Sequence, residues 1–482
     1  MPDILSDFYN NCNPVKPALA SQYVDSDAAR GSRDLVKQFH NDLKNVRSDF
    51  LCFLFTGHLG CGKSSELRHL AETLSMPDPK LNTPAFFPVY LNAEDFIDTY
   101  DADPRDILLS VLAAAAREFD KIGIKLQDNY LWRKLDDVKN VLFTDVGLSE
   151  LGTEGKLPFL SKVTAKFNVL KSDPTNRDLV RKAFGRDIAP LKEEIKLQFE
   201  KARGLLAKKK SENGILFKDF VLIIDNLEKI DRVSGKDVGY ISHRQLFIES
   251  ASQLLGLGAH VVYTVPLPLV INNGTELKTI YGTAPFILPM IKVEDRPPQR
   301  KRYKTGWETM KEIVDKRLPV HTARNQVIQA KALDFLIRYS GGHTRELIMF
   351  LRQAVTLVDK PPITLKAAQM AIADTVVLFS AASAAHLQKL AELELSPDQS
   401  VIASDQDIKT MLQQLIILEY RNGSREREED PFNPATPWYS VHPLIRELKP
   451  FKRAVENLNS LRAQTVERSD PDQPPRPKRQ SK

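Results

Sequence analysis

Apolar positions along the chain follow two rhythms. Short unbroken runs occur at Ser48–Thr56, which leads straight into Gly57, and at Phe86–Leu91, Lys218–Ile224, His260–Val265 and Phe286–Val293. Runs this short, without polar alternation, predict strands buried on both faces. Between them, apolar residues recur three and four apart. Lys63–Ser75 sets Leu67, Leu70, Ala71 and Leu74 on one face, and Pro104–Phe119 and Arg244–Leu257 read as further helices. Buried strands separated by helices predict an α/β fold with a parallel sheet.

Two stretches break that rhythm. Tyr130–Lys218 reads as an insertion between core strands, helical in its second half (Arg177–Lys210), with Pro190 opening a new helix. Beyond Arg296 the strands stop, and helical patterns follow at Trp307–Leu318, Asn325–Tyr339, Arg345–Asp359 and Leu365–Phe379. Short helices at Ala384–Glu394 and Asp405–Leu415 precede a predicted hairpin. Its strands are Ile416–Arg421 and Trp438–His442, with a turn at Asn422-Gly423. Two helices followed by a hairpin is the pattern of a winged helix. From Ser469 the chain is Pro-rich and polar, a composition that predicts disorder.

Composition adds boundaries rather than a function. At 482 residues and 42% hydrophobic the chain can bury a core without staples. The main apolar runs fall short of the ~20 residues a membrane span needs. The first residues carry no basic and apolar leader pattern. Three cysteines, Cys12, Cys52 and Cys61, form no CxxC pair, so neither a disulfide framework nor a zinc site is expected. The expectation is a soluble protein of a reducing cytoplasm, away from membranes. The net charge of +6 is concentrated in two places. Tyr130–Lys218 carries 19 Lys and Arg against 12 Asp and Glu, and Lys449–Lys482 carries 9 against 4. Such segments suit nucleic acid or an acidic partner, or simply solvate helix faces.

The sharpest chemistry lies after the first strand. Gly57-His58-Leu59-Gly60-Cys61-Gly62-Lys63-Ser64, with Ser65 following, fits G-x-x-x-x-G-K-[ST]. Glycines let successive N–H groups wrap a phosphate, Lys63 adds a point charge, the Ser64 hydroxyl suits Mg²⁺, and the helix start adds its dipole. Cys61 reads as a variable loop position. A second run, Phe220–Ile224, ends in Asp225-Asn226-Leu227-Glu228. Asp225 at a strand end suits the Mg²⁺ of such a site, and Glu228 is the candidate for polarising an attacking water. Asn226 stands where many ATPases carry a glutamate.

Together these residues resemble the P-loop ATPases of the AAA+ and STAND superfamily (signal-transduction ATPases with numerous domains). Asp225–Glu228 is similar to the second motif of bacterial STAND regulators. The resemblance implies a P-loop NTPase core with a parallel sheet, a helical lid and a C-terminal winged helix. The expected divisions are 1–300, 301–380, 381–450 and a basic tail at 451–482; the resemblance covers about 20–450, and the insertion at about 130–218 and the tail lie outside it. It implies ATP or dATP with Mg²⁺ as ligands, Thr264 as a polar sensor with Pro266 after it, and Arg345, after Gly341-Gly342, reaching over the phosphates from the lid. An arginine supplied by a neighbouring subunit is expected, with Arg296 and Arg317 as candidates, and Val24 or Arg30 near the adenine. The leading function is an ATP-binding and hydrolysing switch that self-associates, slow until activated. The alternatives are a DNA-handling ATPase of origin-recognition or transposition-regulator type, using the basic insertion or the winged helix, and a nucleotide-locked scaffold. The winged helix could equally bind protein, because its hairpin loop mixes Arg421, Arg425 and Arg427 with Glu426, Glu428, Glu429 and Asp430.

Overall fold

The computed structural model describes residues 4–31, 35–46, 49–77, 84–100, 102–126, 174–185, 187–210, 214–230, 243–297, 299–396, 406–421 and 437–468. The α/β expectation holds. β1 (Cys52–Gly57), β2 (Ala85–Asn92), β3 (Phe217–Asp225), β4 (His260–Thr264) and β5 (Phe286–Leu288) form one parallel sheet in the order β2-β3-β4-β1-β5. Phe220–Ile224 is at most 1% exposed, and burying each such side chain contributes roughly 1.5–3 kcal/mol. Register brings the carboxyl ends together: Asn92 lies opposite Asp225, Phe55 opposite Thr264 and Gly57 opposite Leu288.

A helix not anticipated from the sequence, α1 (Ile4–Asn11), precedes the sheet. α2 (Lys63–Leu74) leaves β1 through the glycine-rich loop. α3 (Pro104–Lys121) starts on a capping box: Asp103 accepts from the Arg105 N–H, Asp106 answers to the Asp103 N–H, and Pro104 needs no donor there. α4 (Ala189–Leu206) opens at Pro190 as expected. It is part of the core. Phe199 and Phe119 of α3 both meet the Phe220 ring edge-on, at 5.3 and 5.1 Å. The second half of the presumed insertion thus covers the sheet beside α3, and 127–173 lies outside the described residues. α5 (Leu267–Tyr281), also unanticipated, joins β4 to β5. The helix expected over Arg244–Leu257 is a π-helical turn, Gln245–Glu249, then Ala251–Leu254.

The strand expected over Phe286–Val293 stops at Leu288, for a reason visible in its donors. Pro289 has no N–H. Met290 N donates to Glu419 O (3.1 Å) and Lys292 N to Ala29 O (3.0 Å), so the chain stays extended but pairs elsewhere. Helices α6 (Lys304–Asp315), α7 (Ala330–Ser340) and α8 (Thr344–Val355) follow. Gly341 and Gly342 separate α7 from α8 with φ of 58° and 79°. A Cβ on Gly342 would stand 1.8 Å from Ile291 O, so no side chain fits. The segment expected as one helix over Leu365–Phe379 is α9 (Leu365–Ala371) and α10 (Ala373–Ser383), bent at Ile372. Through α11 (Leu387–Leu395) this stretch is long and apolar enough to cross a membrane by length and composition, but it is broken at Ile372 and again after Ser383. α12 (Gln406–Gln413) leads into an antiparallel pair, β6 (Ile417–Tyr420) and β7 (Trp438–Val441), and α13 (Lys449–Arg468) ends the described chain. The Asn422-Gly423 turn and the tail from Ser469 lie outside the described residues.

The hairpin is not a free appendage. Leu418, Tyr420 and Trp438 share one buried cluster with Phe55, Leu67 and Leu70, which ties β6 and β7 to the glycine-rich loop's own strand and helix.

Candidate functional site

The loop between β1 and α2 is shaped from outside. Its carbonyl oxygens are all claimed: Leu59 O accepts from His343 Nε2–H (2.7 Å), and Gly60 O from the Thr344 hydroxyl (2.9 Å) and the Arg345 N–H (3.2 Å). Cys61 O accepts from Arg30 Nη2 (2.8 Å). Arg30 is 2% exposed and also binds Ser26 Oγ and Pro289 O. Gly60 has φ 79°, and a Cβ there would meet His343 Nε2 at 2.7 Å and Arg345 Cβ at 2.8 Å. With the Leu59, Gly60 and Cys61 carbonyls held by Arg30 and the start of α8, the N–H groups of Gly60, Gly62, Lys63 and Ser64 have no hydrogen-bond partner among the described residues. Convergent free donors at a helix N-terminus make an anion cradle.

Lys63 Nζ stands over this cradle. It donates to Gly57 O (3.0 Å) and His58 O (3.1 Å) and pairs with Glu228 Oε1 at 3.0 Å. Burial works to lower its pKa, but the charges of Glu228 and its neighbours outweigh that, and the net shift is upward. Burial also works to raise the Glu228 pKa; the Lys63 charge reverses it, so Glu228 is held ionised. Its second oxygen, Oε2, is buried without a partner. Asp225, 1% exposed, is pushed the other way, by burial and by the Glu228 charge. The Tyr90 hydroxyl donates to Asp225 Oδ2, and Ser64 bonds the same carboxyl group. Two carboxylates whose pKa values are driven apart beside one lysine have different tasks open to them.

β-strand register explains the rest of the floor. Asn226 takes a left-handed backbone (φ 65°) and donates its side-chain amide to Asn92 Oδ1 (2.8 Å), and both residues line the cleft. Thr264 does not face the cleft; its hydroxyl accepts from the Leu227 N–H (2.9 Å) and donates to Ile224 O (3.4 Å), fixing the turn that carries Glu228.

The cleft is a cavity of about 350 Å³ that runs from the loop to the lid. Of the expected residues, Leu59, Gly60, Gly62, Lys63, Ser64, Ser65, Asp225, Glu228, Arg345, Val24 and Arg30 line it. Gly57, His58 and Cys61 do not. His58 turns away, and its Nε2 accepts the Glu419 N–H of β6 (2.9 Å); burial holds its pKa down at about 3. Cys61 is 1% exposed and faces Leu288 O. Arg317, considered as a group offered to a neighbouring subunit, is 6% exposed and lines its own chain's cleft, whereas Arg296 does not line it. Residues the sequence did not single out complete the walls: Asn13–Ala18, Tyr23, Tyr90, Asn92, Ile313 and Ile348. Ala18 N donates to Ser65 Oγ (3.0 Å), and the Tyr23 hydroxyl to Glu66 Oε2 (2.8 Å), strapping the N-terminal segment across α2.

Ser64 and Asp225 bring a hydroxyl and a carboxylate together beside the cradle, oxygen donors that would suit a Mg²⁺. Among the described residues no cluster of three or more His, Cys, Asp or Glu forms a self-sufficient metal site.

No family model and no curated protein matches this sequence. Among solved structures, Cdc6p from Pyrobaculum aerophilum is similar over 93% of this chain and 98% of its own, at 12% identity and a TM-score of 0.38. The ORC2 protein of Aeropyrum pernix is similar over 95% and 98%, at 11% identity and a TM-score of 0.40. A Walker-type ATPase of Pyrococcus abyssi is similar over 90% and 98%, at 11% identity and a TM-score of 0.41.

Proposed function

We propose that the chain is a slow ATPase switch of AAA+/STAND type, holding ATP and Mg²⁺ between sheet and helical lid and reseating a C-terminal winged helix as it does so. The observation that carries this is the double hold on one loop. His343, Thr344 and Arg345 grip its carbonyls from the lid, while His58 of the same loop grips β6 of the C-terminal hairpin. A ligand that moves the loop must disturb both elements.

Bound ATP and Mg²⁺ would supply the scissile phosphoanhydride and the charge that neutralises its oxygens. The free N–H groups of Gly60, Gly62, Lys63 and Ser64 bind the phosphates, and Lys63 exchanges its bond to Glu228 for one to a phosphate oxygen. Ser64 and Asp225 hold the cation. Glu228, released from Lys63, keeps Oε2 as acceptor for a proton from water, and Thr264 keeps it aimed. Arg345 reaches the cleft from the lid. With Arg317 directed into its own cleft, Arg296 is left as the candidate for action on a neighbouring subunit, where an arginine can contribute ~10³–10⁵ in rate.

The test is ATP binding and turnover by purified protein beside Lys63→Ala, with and without duplex DNA. Binding lost in Lys63→Ala, and slow turnover indifferent to DNA, fit the switch. Full ATP binding by Lys63→Ala sinks it. DNA-stimulated turnover that falls with salt would replace the switch with the DNA-handling alternative.

A further inference from the structure

We infer that Arg317 reads the base of the bound nucleotide from within the same chain. The inference rests on the cleft being a nucleotide site.

Arg317 follows α6 and bends back so that Nη1 donates to Ile313 O (2.7 Å). Among the described residues no carboxylate lies within ion-pair distance of it. The titratable side chain that acts on it most is Cys12, and burial pushes that thiol up to about 12, so it stays neutral and offers no counter-charge. A guanidinium 6% exposed, bonded to one carbonyl, keeps donors to spend, and it lines the cleft.

The apolar residues that share the cleft with Arg317 assign what it reads. α8 begins on the cradle, where Thr344 binds Gly60 O, and Ile348, one turn on, about 6 Å along the helix axis, also lines the cleft. Ile313, one turn before Arg317, lines the same cleft, as does Val24. Apolar side chains flank a flat ring well, and a donor-only fork suits the acceptor atoms on a base's edge. The phosphates are already served by the cradle, Lys63 and Arg345. A side chain 6% exposed inside its own cleft cannot serve a second subunit.

Titration calorimetry with ATP and with inorganic tripolyphosphate separates base from phosphate recognition. In Arg317→Leu, ATP affinity should fall about tenfold or more while tripolyphosphate affinity stays within about twofold of wild type. Arg317→Lys should fall between. Lys63→Ala should lose both ligands. Equal losses for ATP and tripolyphosphate in Arg317→Leu would reduce Arg317 to a helix cap or a phosphate group, and an unchanged ATP affinity would overturn its role outright. If wild-type protein binds neither ligand, the nucleotide reading falls and this inference with it; if it binds both at an unchanged ratio in the variant, only this inference falls.

Discussion

Lys63 and Glu228 sit with side chains 5% exposed, each the other's counter-charge. Removing one partner of a buried pair leaves the other uncompensated, a loss of about 3–5 kcal/mol. Glu228→Gln should therefore lower the Tm sharply without ligand. Added tripolyphosphate should recover more of that loss than it adds to wild type, because a phosphate replaces the missing carboxylate beside Lys63. Equal stabilisation of both proteins by the ligand would show that Lys63 does not exchange partners. What the sequence disclosed at this scale depends on contiguity. Lys63, Ser64 and Asp225 were legible because each belongs to a run that carries its own context: a glycine loop before a helix, an acid at the end of a buried strand. Tyr90 and Ile348 were not, and Arg317 was named only for a neighbouring subunit, because only folding brings the residues after α6, the far end of β2 and the second turn of α8 to one cleft. Asn226 drew notice as a departure from a common pattern, and the structure gives it a different partner in Asn92. His58 shows the opposite error: membership of the loop suggested ligand contact, and its side chain instead faces β6.

Elements were readable where burial is complete and local. Five apolar runs became five parallel strands because their pattern admits little else. Boundaries failed where tertiary bonds competed with local preference, as at Pro289, where the extended chain abandons the sheet for Glu419 and Ala29. α4 is the more consequential case. Its Lys and Arg content suggested a solvated insertion, yet Leu191, Ile195, Phe199, Ala202 and Leu206 are at most 1% exposed on one face. Charge on the outer face of an amphipathic helix says little about whether the inner face is core. Phe199→Ala should cost about 3–5 kcal/mol and lower the Tm accordingly, since it removes a ring packed against Phe220 of β3. A loss below about 1 kcal/mol would return α4 to the status of a dispensable insertion.

At the scale of the whole molecule, acid should loosen the hairpin from the loop. His58 accepts the Glu419 N–H through Nε2, faces Lys63 of its own loop and His343 at the start of α8, and is held neutral chiefly by burial, with the Lys63 charge acting the same way and a pKa of about 3. A released or unfolded chain takes up that proton near the ordinary value of about 6.5. Between those values the released form binds more protons, so stability present above pH ~6.5 is lost as pH falls toward 3. Glu346, bonded to His442 (2.8 Å) and depressed to about 2 by the two histidines against the effect of burial, acts later. Its contribution is full above its ordinary value and drains between pH ~4.5 and 2. His260, lowered by burial to about 4, adds an acid sensitivity that belongs to the sheet. The decisive quantity is therefore the difference between wild type and His58→Gln, whose amide oxygen can still accept the Glu419 N–H but does not titrate. Trp438 is fully buried and stacked on Tyr420 at 4.4 Å, so hairpin release would shift its emission to the red. Wild type should show that shift as pH falls from 6.5 to 4, and His58→Gln should hold its emission until lower pH. Identical profiles would mean that the loop–hairpin bond does not govern docking, and the coupling between cleft and hairpin would then have to run through the lid turn at His343–Arg345.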